Sequence, residues 1–191
     1  MPSVSLTNWR TTRRAALDAV EAAHTTVHGT GAGRREATRQ INHGYAVLLA
    51  AEFQGFCREL HTEAVRYLVA AVPIEMQVIV GRALTLNRQL DRGNANPATL
   101  GSDFGRLGVV WWQSVDQVEA SGPDLRDELE KLNAWRNAVA HNDFDSKKLG
   151  GTIVLTLSMV RGWRKVCNQL AGVFDQVLGD HIATCTKVRA W

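Results

Sequence analysis

Apolar residues recur every three or four positions along most of the chain, the spacing of helices that bury one face. Residues 7–28 put Leu17, Val20 and Val27 on one stripe and predict a first helix. Gly29-Thr30-Gly31-Ala32-Gly33 interrupts it. With no Gly-Lys-Ser/Thr behind it, that cluster reads as a hinge and not as a phosphate cradle. Residues 34–72 predict a long helix whose stripe holds Ile41, Tyr45, Leu48, Leu49, Phe53 and Phe56. Pro73 opens another, to about residue 92, with Met76, Ile79, Val80, Ala83, Leu84 and Leu90 expected inward. Gly93-Asn94-Ala95-Asn96-Pro97 has the composition of a loop. A further helix is predicted over 104–119, weakened by Gly105 and Gly108.

Residues 123–141 form the clearest amphipathic segment, with Leu125, Leu129, Leu132 and Val139 on its apolar face. Ser121-Gly122-Pro123-Asp124 supplies an N-cap, a first-turn proline and an early acid. After Gly150-Gly151, residues 152–157 are a short β-like run. Ser158 then reads as the N-cap of a last helix to about residue 187, with Val166, Leu170, Val173, Val177 and Leu178 on its stripe. The expectation is an all-α bundle, one domain over 1–191, with a long C-terminal helix and at most one short β-like segment near 152–157. There is no internal repeat.

Composition narrows the setting. An apolar content of 45% with 21% charged residues is that of a folded chain, not a disordered one. Cys57, Cys167 and Cys185 are odd in number and lack metal-ligand spacing. Cys57 and Cys167 read as buried apolar residues in a reducing compartment. The N-terminal residues show no signal-peptide core, and no apolar run is long enough to span a bilayer, so a cytoplasmic protein with no membrane partner is expected. The net charge of +3 is mildly basic. Seventeen arginines against five lysines suit bidentate phosphate contact, although biased base composition gives the same skew.

The chemistry concentrates in Arg136-Asn137-Ala138-Val139-Ala140-His141, where the amphipathic pattern ends. A histidine at a helix C-terminus is exposed and can both take and give a proton. It can take the proton of a ribose 2′-hydroxyl or give one to a leaving oxygen. An arginine can hold the charge that develops on a phosphate in the transition state. Asn137 lies one turn before His141, on the same face, and can orient the imidazole or the phosphate. Arg136 and His141 are about 140° apart on an ideal helix. They converge only if the helix end unwinds or a second chain completes the site. Arginine and histidine near a helix C-terminus also serve simply to complement its dipole.

Arg136, Asn137 and His141 resemble the R-x4–6-H motif, with a polar residue after the arginine, of nucleases in the HEPN superfamily. The apolar helix around Tyr45–Phe56, with Glu52 and Phe53, and the long final helix resemble the stand-alone bacterial branch. That resemblance implies an all-helical homodimer whose two motifs face each other and cut RNA without a metal or cofactor. It further implies a toxin or antiviral effector, with an antitoxin protein as a partner. Members paired with a nucleotidyltransferase antitoxin often carry a tyrosine two residues after the histidine. Asp143 stands there, which disfavours control by nucleotidylation.

Other clusters have plainer readings. His24 and His28 are one turn apart but lack a third ligand, so they read as solvent or core histidines. Asp143 and Asp145 read as solvated loop acids rather than a metal site. Arg34, Arg35 and Arg39 are candidate contacts to an RNA backbone, against the commoner role of a solvated helix face. Trp111, Trp112 and Trp135 read as core or interface residues rather than base-stacking platforms. Two functions follow: a metal-independent endoribonuclease, or a non-catalytic helical module that binds RNA, a nucleotide or a protein.

Overall fold

The computed structural model describes residues 1–27 and 34–191, the side chains of Arg34 and Arg35 excepted. The hinge expected at Gly29–Gly33, and His28, lie outside the described residues. Among the described residues every regular element is helical. The order is α1 (Val4–Asn8), a π-turn (Trp9–Arg13), α2 (Arg14–Val27), α3 (Arg34–Ala70), α4 (Ile74–Thr85), a 3-10 turn (Gln89–Asp91), α5 (Pro97–Gly105), α6 (Trp111–Val118), α7 (Gly122–His141) and α8 (Leu157–Thr186).

The first helix begins earlier than its apolar stripe suggests, because Ser3 caps it. Ser3 Oγ accepts the Leu6 N–H at 2.9 Å, and its own N–H donates to Asp175 on α8 at 3.2 Å. The π-turn then lets one helical path continue from α1 into α2 while inserting an extra residue. Arg13, at the end of that turn, reaches across to α3 and pairs with both Glu52 and Glu59. Gly55 makes the reach possible: a Cβ there would lie 2.6 Å from Arg13 Nη1.

At 37 residues, α3 is about 55 Å long and forms the spine of the bundle. Tyr45, Leu49, Phe53, Phe56, Leu60 and Ala64 are buried along it, against α1, α2, α7 and α8. On α8 the buried stripe runs Val160, Trp163, Cys167, Leu170, Phe174, Val177, Leu178 and Ile182. At one end Phe104 stacks on Trp111 with ring centroids 4.1 Å apart, and Phe174 leans on Trp111 at 4.7 Å. Cys57 and Cys167 are fully buried, and burial raises both thiols' pKa values. No helix among the described residues is long and apolar enough to cross a membrane.

A buried polar cluster joins α3, the 3-10 turn and α5. Asp103 accepts the Gln89 and Leu90 N–H groups at 3.0 and 2.7 Å and so caps the 3-10 turn. Arg88 donates to Asp91 at 2.7 Å, to Thr62 Oγ1 at 2.8 Å and to His61 Nδ1 at 3.3 Å. A guanidinium can only donate, so Nδ1 is the acceptor and His61 carries its proton on Nε2, which donates to the Asp103 carbonyl at 3.1 Å. Burial first, then the Arg88 charge, lowers the His61 pKa to about 4.

Six sequence expectations are corrected. The helix expected over 73–92 stops at Thr85, because Leu86 is extended and Asn87 has φ 58°. Of its supposed inward residues, Met76, Ile79 and Ala83 are exposed and only Leu90 is buried, since α4 is apolar on more sides than α3 can cover. The helix expected over 104–119 is two helices turned about Gly108, at φ 87°. Asn96 starts the first of these, its Oδ1 accepting the Thr99 N–H at 2.8 Å.

Ser121 occupies the N-cap position of α7 without capping it: its hydroxyl donates to Glu119 instead, at 2.7 Å. Thr156, not Ser158, caps α8. Residues 152–156 form no strand, because no second extended segment pairs with them. Only Leu155 of that run is buried, and Asn42 Nδ2 holds its carbonyl at 3.0 Å while Ile153 and Val154 face outward.

Candidate functional site at the end of α7

Leu125, Leu129, Leu132, Trp135 and Ala138 bury one side of α7 and orient the rest of it. The helix stays regular to His141 and closes in a Schellman turn: Asn142 N–H donates to Val139 O at 3.4 Å and Asp143 N–H to Ala138 O at 3.0 Å. Asn142 sits at φ 51°, a left-handed conformation that asparagine tolerates better than most residues. The next residues are pinned as well. Phe144 stacks on His43 at 5.3 Å and tilts against Trp135 at 6.4 Å, and Leu149 is buried.

Asn133, Asn137 and His141 follow at four-residue intervals along the adjacent face. They line one open cleft of about 390 Å³, together with Glu130, Asp143 and Lys148. Its far wall is the loop before α5. Asn133 Nδ2 donates to the carbonyl of Ala95 at 3.3 Å, and Asn94 Nδ2 donates to Asn137 Oδ1 at 2.7 Å. Arg136 does not line this cleft but is joined to it, because its guanidinium donates to the same Asn137 oxygen at 3.2 Å. The Asn137 carbonyl thus has two donors and leaves the amide's N–H₂ end for another partner.

His141 is exposed, and its ring makes no hydrogen bond among the described residues. It is therefore available to exchange a proton with a molecule in the cleft. Mixed charge surrounds it: Lys148 approaches Asp143 at 3.9 Å, with both side chains largely exposed. Arg136 and Asn137 are in contact, and Asn137 and His141 share the cleft. Arg136 and His141 stay on divergent sides because the helix does not unwind.

The other sequence candidates lie apart from this cleft. Arg39 lines a different one, with Asn42, Leu155 and Arg161, and approaches Glu36 at 3.7 Å. The side chains of Arg34 and Arg35 lie outside the described residues. His24 is buried. Asp145 accepts the Lys147 N–H at 3.0 Å, the ordinary work of a loop acid. Trp135 is core, as expected, while Trp112 carries the Arg126 guanidinium 5.0 Å above its ring.

Sequence reading missed Asn94 and Lys148. The signal for Asn94 was the amide-rich loop itself, which composition labels but does not place. It also missed His43, buried with Nε2 unpartnered and held toward its neutral form by burial and then by Arg39.

No protein family, curated protein or solved structure matches this chain significantly.

Proposed function

We propose that the protein is a metal-independent endoribonuclease of the HEPN kind, acting as a homodimer whose two α7 ends form one composite site. The observation that carries this reading is the row Arg136–Asn137–His141, in which Asn137 contacts the half-buried arginine and shares a cleft with the exposed histidine. An exposed imidazole without a partner suits proton transfer, and a guanidinium still open to solvent on one side suits a phosphate. Within one chain the two diverge by about 140°. A two-fold axis brings the histidine of one copy toward the arginine of the other, and two-fold dimers are the commonest assembly.

In the reaction, His141 of one copy removes the proton of a ribose 2′-hydroxyl. The 2′-oxygen attacks the adjacent phosphorus, and the P–O5′ bond breaks. The departing 5′-oxygen takes a proton from the second His141, and Arg136 holds the charge on the non-bridging oxygens. The products are a 2′,3′-cyclic phosphate and a 5′-hydroxyl. A toxin or antiviral role, with an antitoxin as neutralising partner, belongs to the same proposal.

The test is cleavage of RNA by the purified protein in EDTA, with end-group analysis of the fragments. Cyclic-phosphate ends formed by the wild type and lost with His141→Ala support the reading. Activity that vanishes in EDTA and returns with Mg²⁺ or Mn²⁺ overturns it. A binding module becomes the better account if RNA is bound tightly yet left intact.

A further inference from the structure

We infer that the outer face of α4 is a homotypic interface, on which a second copy of this chain docks antiparallel about a two-fold axis. None of the twelve residues of α4 is buried. The helix is seated on α3 through Gly81, where a Cβ would meet Val69 at an ordinary 3.6 Å, and through the half-buried Leu84. Gln77 adds a hydrogen bond to the Val72 carbonyl at 3.2 Å. At about 100° per residue, the side turned away from α3 carries Glu75, Val78, Ile79 and Arg82, with Leu86 just past the helix end. Val78 and Ile79 are 80% and 62% exposed, and Leu86 is 52% exposed. Contiguous apolar surface of this kind marks an interaction site.

The charges on that face say what covers it. Glu75 and Arg82 are seven residues, about 10 Å, apart. They share the face but are too distant to pair, and among the described residues neither side chain makes an ion pair. An axis crossing the helix midway between Val78 and Ile79 sets Glu75 against Arg82 of the second copy, and Arg82 against its Glu75. The same axis lays Val78 against Ile79 of the second copy, so the apolar centre and the flanking charges close together. The face is self-complementary, as a two-fold interface requires. With one acid and one base it has none of the basic excess of a lipid-binding helix. These residues are separate from Arg136, Asn137 and His141, so this interface stands or falls independently of the nuclease reading.

The test is sedimentation equilibrium of the full chain at micromolar concentration, on the wild type, Glu75→Arg, Arg82→Glu and the double variant. Each single change replaces two attractive pairs with two repulsive ones and is expected to raise the fitted dissociation constant about tenfold or more, lowering the average mass across the concentration series. The double variant regenerates both pairs with reversed signs and is expected to recover the wild-type mass. A second interface elsewhere would leave a residual dimer but would not remove the shift. All four proteins should share one circular-dichroism spectrum, because both side chains are exposed. A monomeric wild type, an unchanged dissociation constant in the single variants or a double variant that fails to recover would overturn the inference. Flotation of a monomeric wild type with lipid vesicles would assign the face to a membrane surface instead.

Discussion

Asn94 donates its side-chain amide to Asn137 Oδ1 at 2.7 Å, across 43 residues of sequence. The bond fixes which end of the Asn137 amide faces the loop and which faces outward. A residue with no reactive group thereby sets the orientation of one beside the proposed catalytic pair. Asn94→Ala is expected to lower kcat by about two- to tenfold, the worth of one net hydrogen bond, with little change in KM. Asn94→Gln should recover part of the loss. A change confined to KM would mean that Asn94 contacts RNA directly and does not act through Asn137.

His141→Ala and Arg136→Ala are each expected to reduce cleavage by about 10²–10⁴-fold. Neither should cost more than about 1 kcal/mol of stability, since both side chains lie at the solvent-facing end of a helix. Urea denaturation beside the cleavage assay separates the two effects. Parallel loss of folding and activity would make these residues structural.

Acid should destabilise the fold through His61. Its folded pKa is about 4 against an ordinary 6.5, so as pH falls the unfolded chain takes up the proton first. The contribution is complete above about pH 6.5, declines between 6.5 and 4, and amounts to about 3 kcal/mol. Unfolding midpoints measured from pH 7 to pH 4 should fall less steeply for His61→Gln, which keeps a donor and an acceptor but cannot titrate. Equal slopes would place the acid sensitivity elsewhere.

Gly55→Ala is expected to destabilise the protein by about 1–3 kcal/mol. Alanine normally stabilises a helix interior by about 1 kcal/mol relative to glycine. Here the added methyl would occupy the position of the Arg13 guanidinium and drive it from Glu52 and Glu59. Thermal unfolding of this variant and of Arg13→Ala checks the cause, because the two losses should not add. A rise in melting temperature would show that Arg13 shifts aside freely.

Much of this architecture is legible in the sequence because α3, α7 and α8 bury a single stripe over many turns, so periodicity and burial coincide. At α4 they part: Ile79 and Val80 announce apolar character, but burial depends on what is available to cover them, and a sequence does not say. The Ser121 cap fails for a similar reason, since Glu119 two residues earlier competes for the hydroxyl. In the candidate site, Arg136, Asn137 and His141 follow from local spacing alone. Asn94 does not, because its role depends on how the loop before α5 crosses α7. The π-turn leaves no pattern at all, as Trp9-Arg10-Thr11-Thr12-Arg13 reads like any helix.

That turn makes the first helix tolerant of a change in the length of its gene. A π-turn closes with one residue more than an α-turn. Excising one codon there, that of Thr11 for instance, would close an ordinary α-helical turn and leave Ser3, Leu6 and Trp9 facing the surface they now fill. The same excision from the regular part of α2 would instead revolve everything before it by about 100°. The wide turn is thus the one place where this segment can lose a residue without unseating what precedes it.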